Sequence, residues 1–323
     1  MYNFKNSIEI ALLLQKHNLD DIENLLEVTE SVYDVVKNYK KTNFNLDEIK
    51  LANNIKYVSS FLKNNDVNYN KKLIELFNNK VFTFERFDKE NWSYNSNENI
   101  IKSIINNKAP YSWINPDTLN HEIYIPVTET IGDAFAILHE SFHEFNDYNE
   151  ININSISRNH LSEGVSMASE FLFEDYLKKQ KINDYNYGPY EIIKYIEEIT
   201  KLVLVKLKVI KTYLNDKNTY MFYDIVYKTK IDKELLRQIN DFIYMNEFRY
   251  IVGILIASQI NDFKTLRIIN ESINQYDLNL IIKILGLNGK QEKNYVKYDE
   301  KTLYKTNDDL KKLLKKKGIL WTK

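Results

Sequence analysis

Seven glycines and four prolines are all that punctuate 323 residues, and this scarcity constrains the fold more than any other feature. Glycine and proline stop helices and turn strands, so a chain poor in both can run as helix for most of its length. Apolar residues recur accordingly. Ile8, Leu12 and Leu13 open a first helical stretch, and Ile22, Leu25, Val28, Val32, Val35 and Val36 continue at helical spacing. Asn45 and Asp47 offer a start for the next helix, which carries Ile49, Leu51, Ile55, Val58 and Leu62.

The texture changes between residues 81 and 127. Val81 to Phe84 reads as a short strand, Pro110 and Pro116 frame a turn-rich stretch around Trp113, and His121 to Pro126 alternates like a strand ending at its proline. Helical texture returns at Thr128 and runs to about residue 285, with breaks expected near Gly188-Pro189, Asn215 and Asn261. A lysine-rich helix, Leu310 to Lys317, closes the chain before Gly318, and its lysines read as a solvated face. The expectation is a mainly α protein with a small β-sheet just before residue 128. It divides into a helical region over 1–80, a core over 81–285 and a helical tail over 286–323.

With 44 basic and 45 acidic side chains, the net charge is only -1, which gives no footprint for nucleic acid or an anionic membrane. The first ten residues carry acids and no long apolar run, and the best apolar run elsewhere, Tyr250 to Ala257, is far shorter than the ~20 residues that span a bilayer. A cytoplasmic location is therefore expected, with the oligomeric state left open. The absence of cysteine removes disulfides, Fe–S clusters, thiolate metal sites and a cysteine nucleophile together. Any metal must rest on Asp, Glu or one of five histidines.

Two of those histidines fall in Gly132-Asp133-Ala134-Phe135-Ala136-Ile137-Leu138-His139-Glu140-Ser141-Phe142-His143. His139 and His143 are four apart, so on a helix they project to one side and can share an ion. Glu140 follows the first histidine, where a carboxylate can take a proton from metal-bound water. Ile131, Ala134, Phe135, Leu138, Phe142 and Phe145 form a separate apolar stripe, while Gly132 and Ala136 lie below the histidine pair and leave room for another element. A third ligand is sought downstream. The stretch Leu161 to Leu177 reads as a second helix with Glu163, Ser166, Met167, Glu170 and Glu174 on one face, and Glu163 is the expected third ligand.

These stretches resemble the M3 family of zinc metallopeptidases, the thimet oligopeptidase and oligoendopeptidase F group, and most closely the oligoendopeptidase F branch. The resemblance covers roughly residues 120–260 and rests on three segments. Glu122-Ile123-Tyr124-Ile125 through His143 resembles an edge strand followed by a zinc helix. Glu163-x-x-Ser166-x-x-x-Glu170, with Asp175-Tyr176-Leu177, resembles the third-ligand helix. Tyr250-x-x-Gly253-x-x-x-Ala257 resembles a helix behind the active site. Phe142 stands where the family usually has glycine, and Asn240 to Tyr250 has no histidine and fewer tyrosines than the family's substrate-binding segment. With only 138 residues before His139, the lobe that walls the family's substrate channel must be reduced.

The resemblance implies a zincin-like (gluzincin) fold and a metalloendopeptidase that hydrolyses short peptides. Zn2+ would be held by His139, His143 and Glu163, with Glu140 as general base. Tyr250 or Tyr244 would stabilise the oxyanion, and Glu170 would accept an N–H from a zinc histidine. Asp133 reads as a cap at the helix start or a ligand-orienting group. His160 is a low-ranked substrate contact, His17 reads as surface, and His121 begins the strand. An extended peptide would add to the edge strand at 122–126 by β-augmentation. Two other readings stay open on the sequence: an aminopeptidase-like gluzincin, and a catalytically silent zinc-binding regulatory protein.

Overall fold

The structure is a computed structural model that describes residues 19–42, 44–86, 109–114, 121–145, 156–182, 186–216, 247–273, 289–292, 295–298 and 300–320. The expected helix around Ile8, Leu12 and Leu13, with His17, lies outside them. Mainly helical architecture is what the scarcity of glycine and proline required. The helices are α1 (Leu19–Val36), α2 (Leu51–Asn65), α3 (Val67–Asn78), α4 (Gly132–Glu144), α5 (Ile156–Lys179), α6 (Tyr187–Asp216), α7 (Phe248–Ala257), α8 (Phe263–Ile273) and α9 (Glu300–Lys316). The strands are β1 (Phe82–Arg86), β2 (Tyr111–Ile114), β3 (His121–Val127) and the hairpin β4 (Gly289–Glu292) with β5 (Tyr295–Tyr298).

The helical spacing in α1 buries Ile22, Leu25, Val28, Val32, Val35 and Val36, as expected, and this stripe packs on α6. The next helix begins later than Asn45 and Asp47 suggested. Lys50 is extended (ψ 141) and α2 starts at Leu51. Ile49 instead gives its N–H to Glu129 O at 2.6 Å. Asp66, whose carboxylate accepts from Asn68 N at 2.9 Å, separates α2 from α3 as an N-cap.

The sheet departs from the sequence reading in one consequential way. Its order is β1-β3-β2, so the 121–127 strand is central and not an edge. β1 runs parallel to it, with Phe82 opposite Ile123, and β2 runs antiparallel on its other side, with Ser112 opposite Ile123. The turn-rich stretch around Trp113 therefore contains a four-residue strand. Four residues leave too little alternation to stand out against the turn signals around them. Pro126 also lies inside β3, which runs one residue further to Val127. Ile123, Ile125 and Val127 point to the helical side and are buried, as the period of two requires.

α5 is the hub, packed by α4, α6, α7, α8 and α2, and residues 161–171 are buried on every side. Two glycines let α7 approach it. A methyl at Gly164 would meet Ile256 Cγ2 at 2.6 Å, and one at Gly253 would meet Glu163 Cβ at 3.0 Å. The expected break at Gly188-Pro189 falls within the first turn of α6, where a missing proline N–H costs nothing. The lysine-rich helix starts ten residues before Leu310, at Glu300. Lys311, Lys312, Lys315 and Lys316 are exposed, but Lys317 is buried, with its ammonium 2.7 Å from Phe171 O and 2.5 Å from Asp175 Oδ1. No described helix is long and apolar enough to cross a membrane.

Candidate metal centre

Local chemistry sets the start of α4. Asp133 accepts hydrogen bonds from Thr128 N (2.9 Å), Thr128 Oγ1 (2.7 Å) and Glu129 N (2.9 Å), so it ties down the preceding turn, in which Glu129 has φ 55. That turn is further pinned by Asn54, whose amide gives 2.7 Å to Thr130 O. The apolar stripe of Ile131, Ala134, Phe135, Leu138, Phe142 and Phe145 is buried throughout. Phe142, the large residue beside His143, stacks on Tyr69 with centroids 5.6 Å apart and meets Phe145 edge-on at 5.2 Å. Beneath the histidines, the space left by Gly132 is used by Tyr187, whose hydroxyl would lie 2.9 Å from an added Cβ.

With the helix fixed in this way, His139 and His143 stand one turn apart with ring centroids at 4.9 Å. From α5, Glu163 brings Oε2 to 3.5 Å from His139 Nε2 and 3.9 Å from His143 Nε2. The ligating atoms of the three residues lie within 4.8 Å of one another, a group that could hold a metal ion. Glu163 Oε2 is buried and has no hydrogen-bond partner. The other ring nitrogens are occupied. His139 Nδ1 is 2.7 Å from Glu170 Oε1, and His143 Nδ1 is 2.6 Å from Ser162 Oγ and 3.4 Å from Ser166 Oγ. A carboxylate can only accept, so Nδ1 of His139 carries the proton toward Glu170, and both Nε2 atoms face Glu163.

Burial opposes the charge of each group here, and the neighbours decide the outcome. For His139, burial is outweighed by the nearby carboxylate of Glu163 and the hydrogen bond to Glu170, which hold its pKa well above the ordinary value. Burial wins at His143 and pushes it down to about 3. Burial likewise raises Glu140, to about 7, against the pull of His139. Burial would raise Glu163 too, but the Arg249 guanidinium and the imidazoles of His143 and His139 bring it down to about 2. An ionised carboxylate thus faces the imidazoles, with a second carboxylate nearby whose pKa burial lifts to about 7.

The remaining expected site residues separate. Tyr250 lies in the first turn of α7, its ring edge-on to Tyr195 at 5.1 Å and its hydroxyl accepting from Arg249 Nη2 at 2.7 Å. Tyr244 and the side chain of His160 lie outside the described residues, although the backbone of His160 belongs to α5. Met167 and Glu174 are buried, with Glu174 turned to Gly188 N at 3.3 Å. His121 is not among the histidines that meet Glu163. Its Nδ1 contacts Glu144, which also accepts from Ser112, so one carboxylate in the last turn of α4 joins β2 and β3 to the helix.

Sequence reasoning missed Ser162 and Arg249. Ser162 adjoins Glu163 and is signalled only by that position. Arg249, whose Nε lies 3.1 Å from Glu163 Oε1, is one of five arginines in a chain rich in lysine. Comparison with protein-family models, curated proteins and solved structures finds no match to this chain. That His139, His143 and Glu163 could hold a metal ion therefore rests on their geometry alone.

Proposed function

We propose that this chain is a zinc-dependent metalloendopeptidase acting on short peptides, a gluzincin akin to the M3 oligopeptidases. The observation that carries the reading is the orphaned Glu163 Oε2, buried without a hydrogen-bond partner and 3.5 and 3.9 Å from two imidazole Nε2 atoms. A buried carboxylate oxygen left in this way is costly unless a cation joins it to the imidazoles. Two imidazoles and a carboxylate, with no thiolate, suit Zn2+ and leave a position for water.

Zinc held by His139, His143 and Glu163 would supply Lewis acidity, lowering the pKa of a bound water from 15.7 to about 7. Glu140, buried beside His139, would accept a proton from the attacking water and pass it to the leaving amine. Glu170 and Ser162 hold the imidazoles by Nδ1. Tyr250, whose hydroxyl accepts from Arg249, would be the donor to the developing oxyanion. β3 is paired on both sides, so an extended peptide would add to the outer edge of β2, which Ser112 ties to the last turn of α4. Main-chain pairing of this kind suits peptides of varied sequence.

The test is bound zinc per chain together with cleavage of internally quenched peptides by wild type and Glu140→Gln. Expected is one zinc per chain in both proteins, with turnover only in the wild type. Equal activity in the two would falsify the assigned base, and zinc binding without cleavage of any peptide in a broad library would sink the peptidase reading.

A further inference from the structure

Glu163 has two oxygens, and the fold treats them differently. Oε2 faces the histidine Nε2 atoms, while Oε1 lies 3.1 Å from Arg249 Nε in an ion pair that lacks hydrogen-bond geometry. Arg249 is itself braced. Its Nη2 gives 2.7 Å to the Tyr250 hydroxyl, and its guanidinium carbon lies 4.8 Å from that ring's centroid. One turn further along α7, Gly253 sits against Glu163 Cβ and Gly164 N. The same two-glycine crossing that brings α7 onto α5 thus delivers the guanidinium to the carboxylate. Resting on the metal-centre part of the proposed function, we infer that Arg249 is a positioning residue for the third ligand, which occupies Oε1 of Glu163 and reserves Oε2 for the metal.

The chemistry favours arginine for this role. A guanidinium stays charged under all ordinary conditions and offers several N–H groups in a rigid plane, so one side chain can hold a carboxylate and a phenol at once. Glu163 is only 5 % exposed, so without Arg249 its Oε1 would lose the guanidinium charge that faces it. The carboxylate would then be free to turn away from the histidines or to offer both oxygens. Arg249 acts through Glu163 and need not touch substrate.

The experiment uses the full chain and reads the metal directly. Zinc affinity is measured by chelator competition for wild type, Arg249→Gln and Arg249→Lys, with the visible spectrum of each cobalt(II)-substituted protein and thermal unfolding of each zinc-free protein. Expected for Arg249→Gln is zinc binding weakened about 10- to 100-fold, in the range for groups that orient metal ligands, with a changed cobalt spectrum. Arg249→Lys, which keeps the charge without the planar fork, should fall between the two. If Arg249→Gln does not fold, the lysine variant decides the matter by the same readouts. A folded Arg249→Gln that binds zinc as tightly as wild type or more tightly, with an unchanged cobalt spectrum, overturns the inference. Wild type that binds zinc but cleaves nothing removes the peptidase reading and leaves Arg249 to be decided by affinity. Wild type that binds no zinc overturns both.

Discussion

Glu170 Oε1 meets His139 Nδ1 at 2.7 Å across the α4–α5 contact, and this single hydrogen bond turns Nε2 of the imidazole toward Glu163. Glu170→Gln keeps the shape of the side chain but removes the charge, and Glu170→Ala removes the acceptor as well. Zinc affinity should fall about tenfold in the first and toward a hundredfold in the second. Isothermal titration or chelator competition reads both, and unchanged affinity in Glu170→Ala would mean the contact does not orient the ligand.

Zinc should stabilise the fold in a pH-dependent way. At about a hundredfold excess over its dissociation constant, a ligand that binds only the native state adds about 2.7 kcal/mol. A rise in the unfolding midpoint with zinc, reversed by a chelator and absent in His143→Ala, is the expected result. Glu163 and Glu170 hold His139 protonated well above the ordinary imidazole range. Zinc must displace a proton there, so its affinity should climb as pH rises through neutrality. Affinity independent of pH over that range would count against ligation by His139.

Glu174 offers a pH effect away from the centre. It is buried, its Oε1 has no hydrogen-bond partner, and burial raises its pKa from 4.5 to about 7. A carboxyl whose pKa is higher in the folded state binds more protons folded than unfolded between those values. Stability is therefore greatest below pH 4.5 as far as this group is concerned, and falls as pH rises through about 7. Glu174→Gln should remove this slope and unfold at a higher temperature than wild type at pH 8, by up to roughly 3 kcal/mol. Parallel stability–pH curves for the two proteins would contradict the assignment.

Gly164→Ala should be destabilising despite alanine's better helix propensity. The added methyl meets Ile256 Cγ2 at 2.6 Å, and relieving that overlap should cost about 1–3 kcal/mol in urea unfolding. Zinc binding should weaken with it, because α7 carries Arg249 to Glu163 across this crossing. A variant as stable as wild type would show that the crossing has slack.

The parts of the centre legible in the sequence are those set by one helical turn. His139, Glu140 and His143 stand together because roughly 100° per residue puts positions four apart on one side. The stripe containing Phe142 could be read for the same reason, and so could the spacing of Glu163 and Glu170 along one face. β2 was not legible, since four residues flanked by prolines carry too short an alternation to outweigh their turn signals.

What the sequence by itself determined is thus the mainly helical class, the helix that bears the two histidines and the set of residues able to bind a metal, all consequences of local periodicity and of which side chains are present. Only the tertiary structure decided that β3 is central, that Ser162 holds His143, and that Arg249 reaches Glu163. The physical reason is that strand order and helix crossings depend on contacts between segments far apart in the chain. The crossing of α5 and α7 is close because two glycines, 89 residues apart, lack a Cβ at the same point.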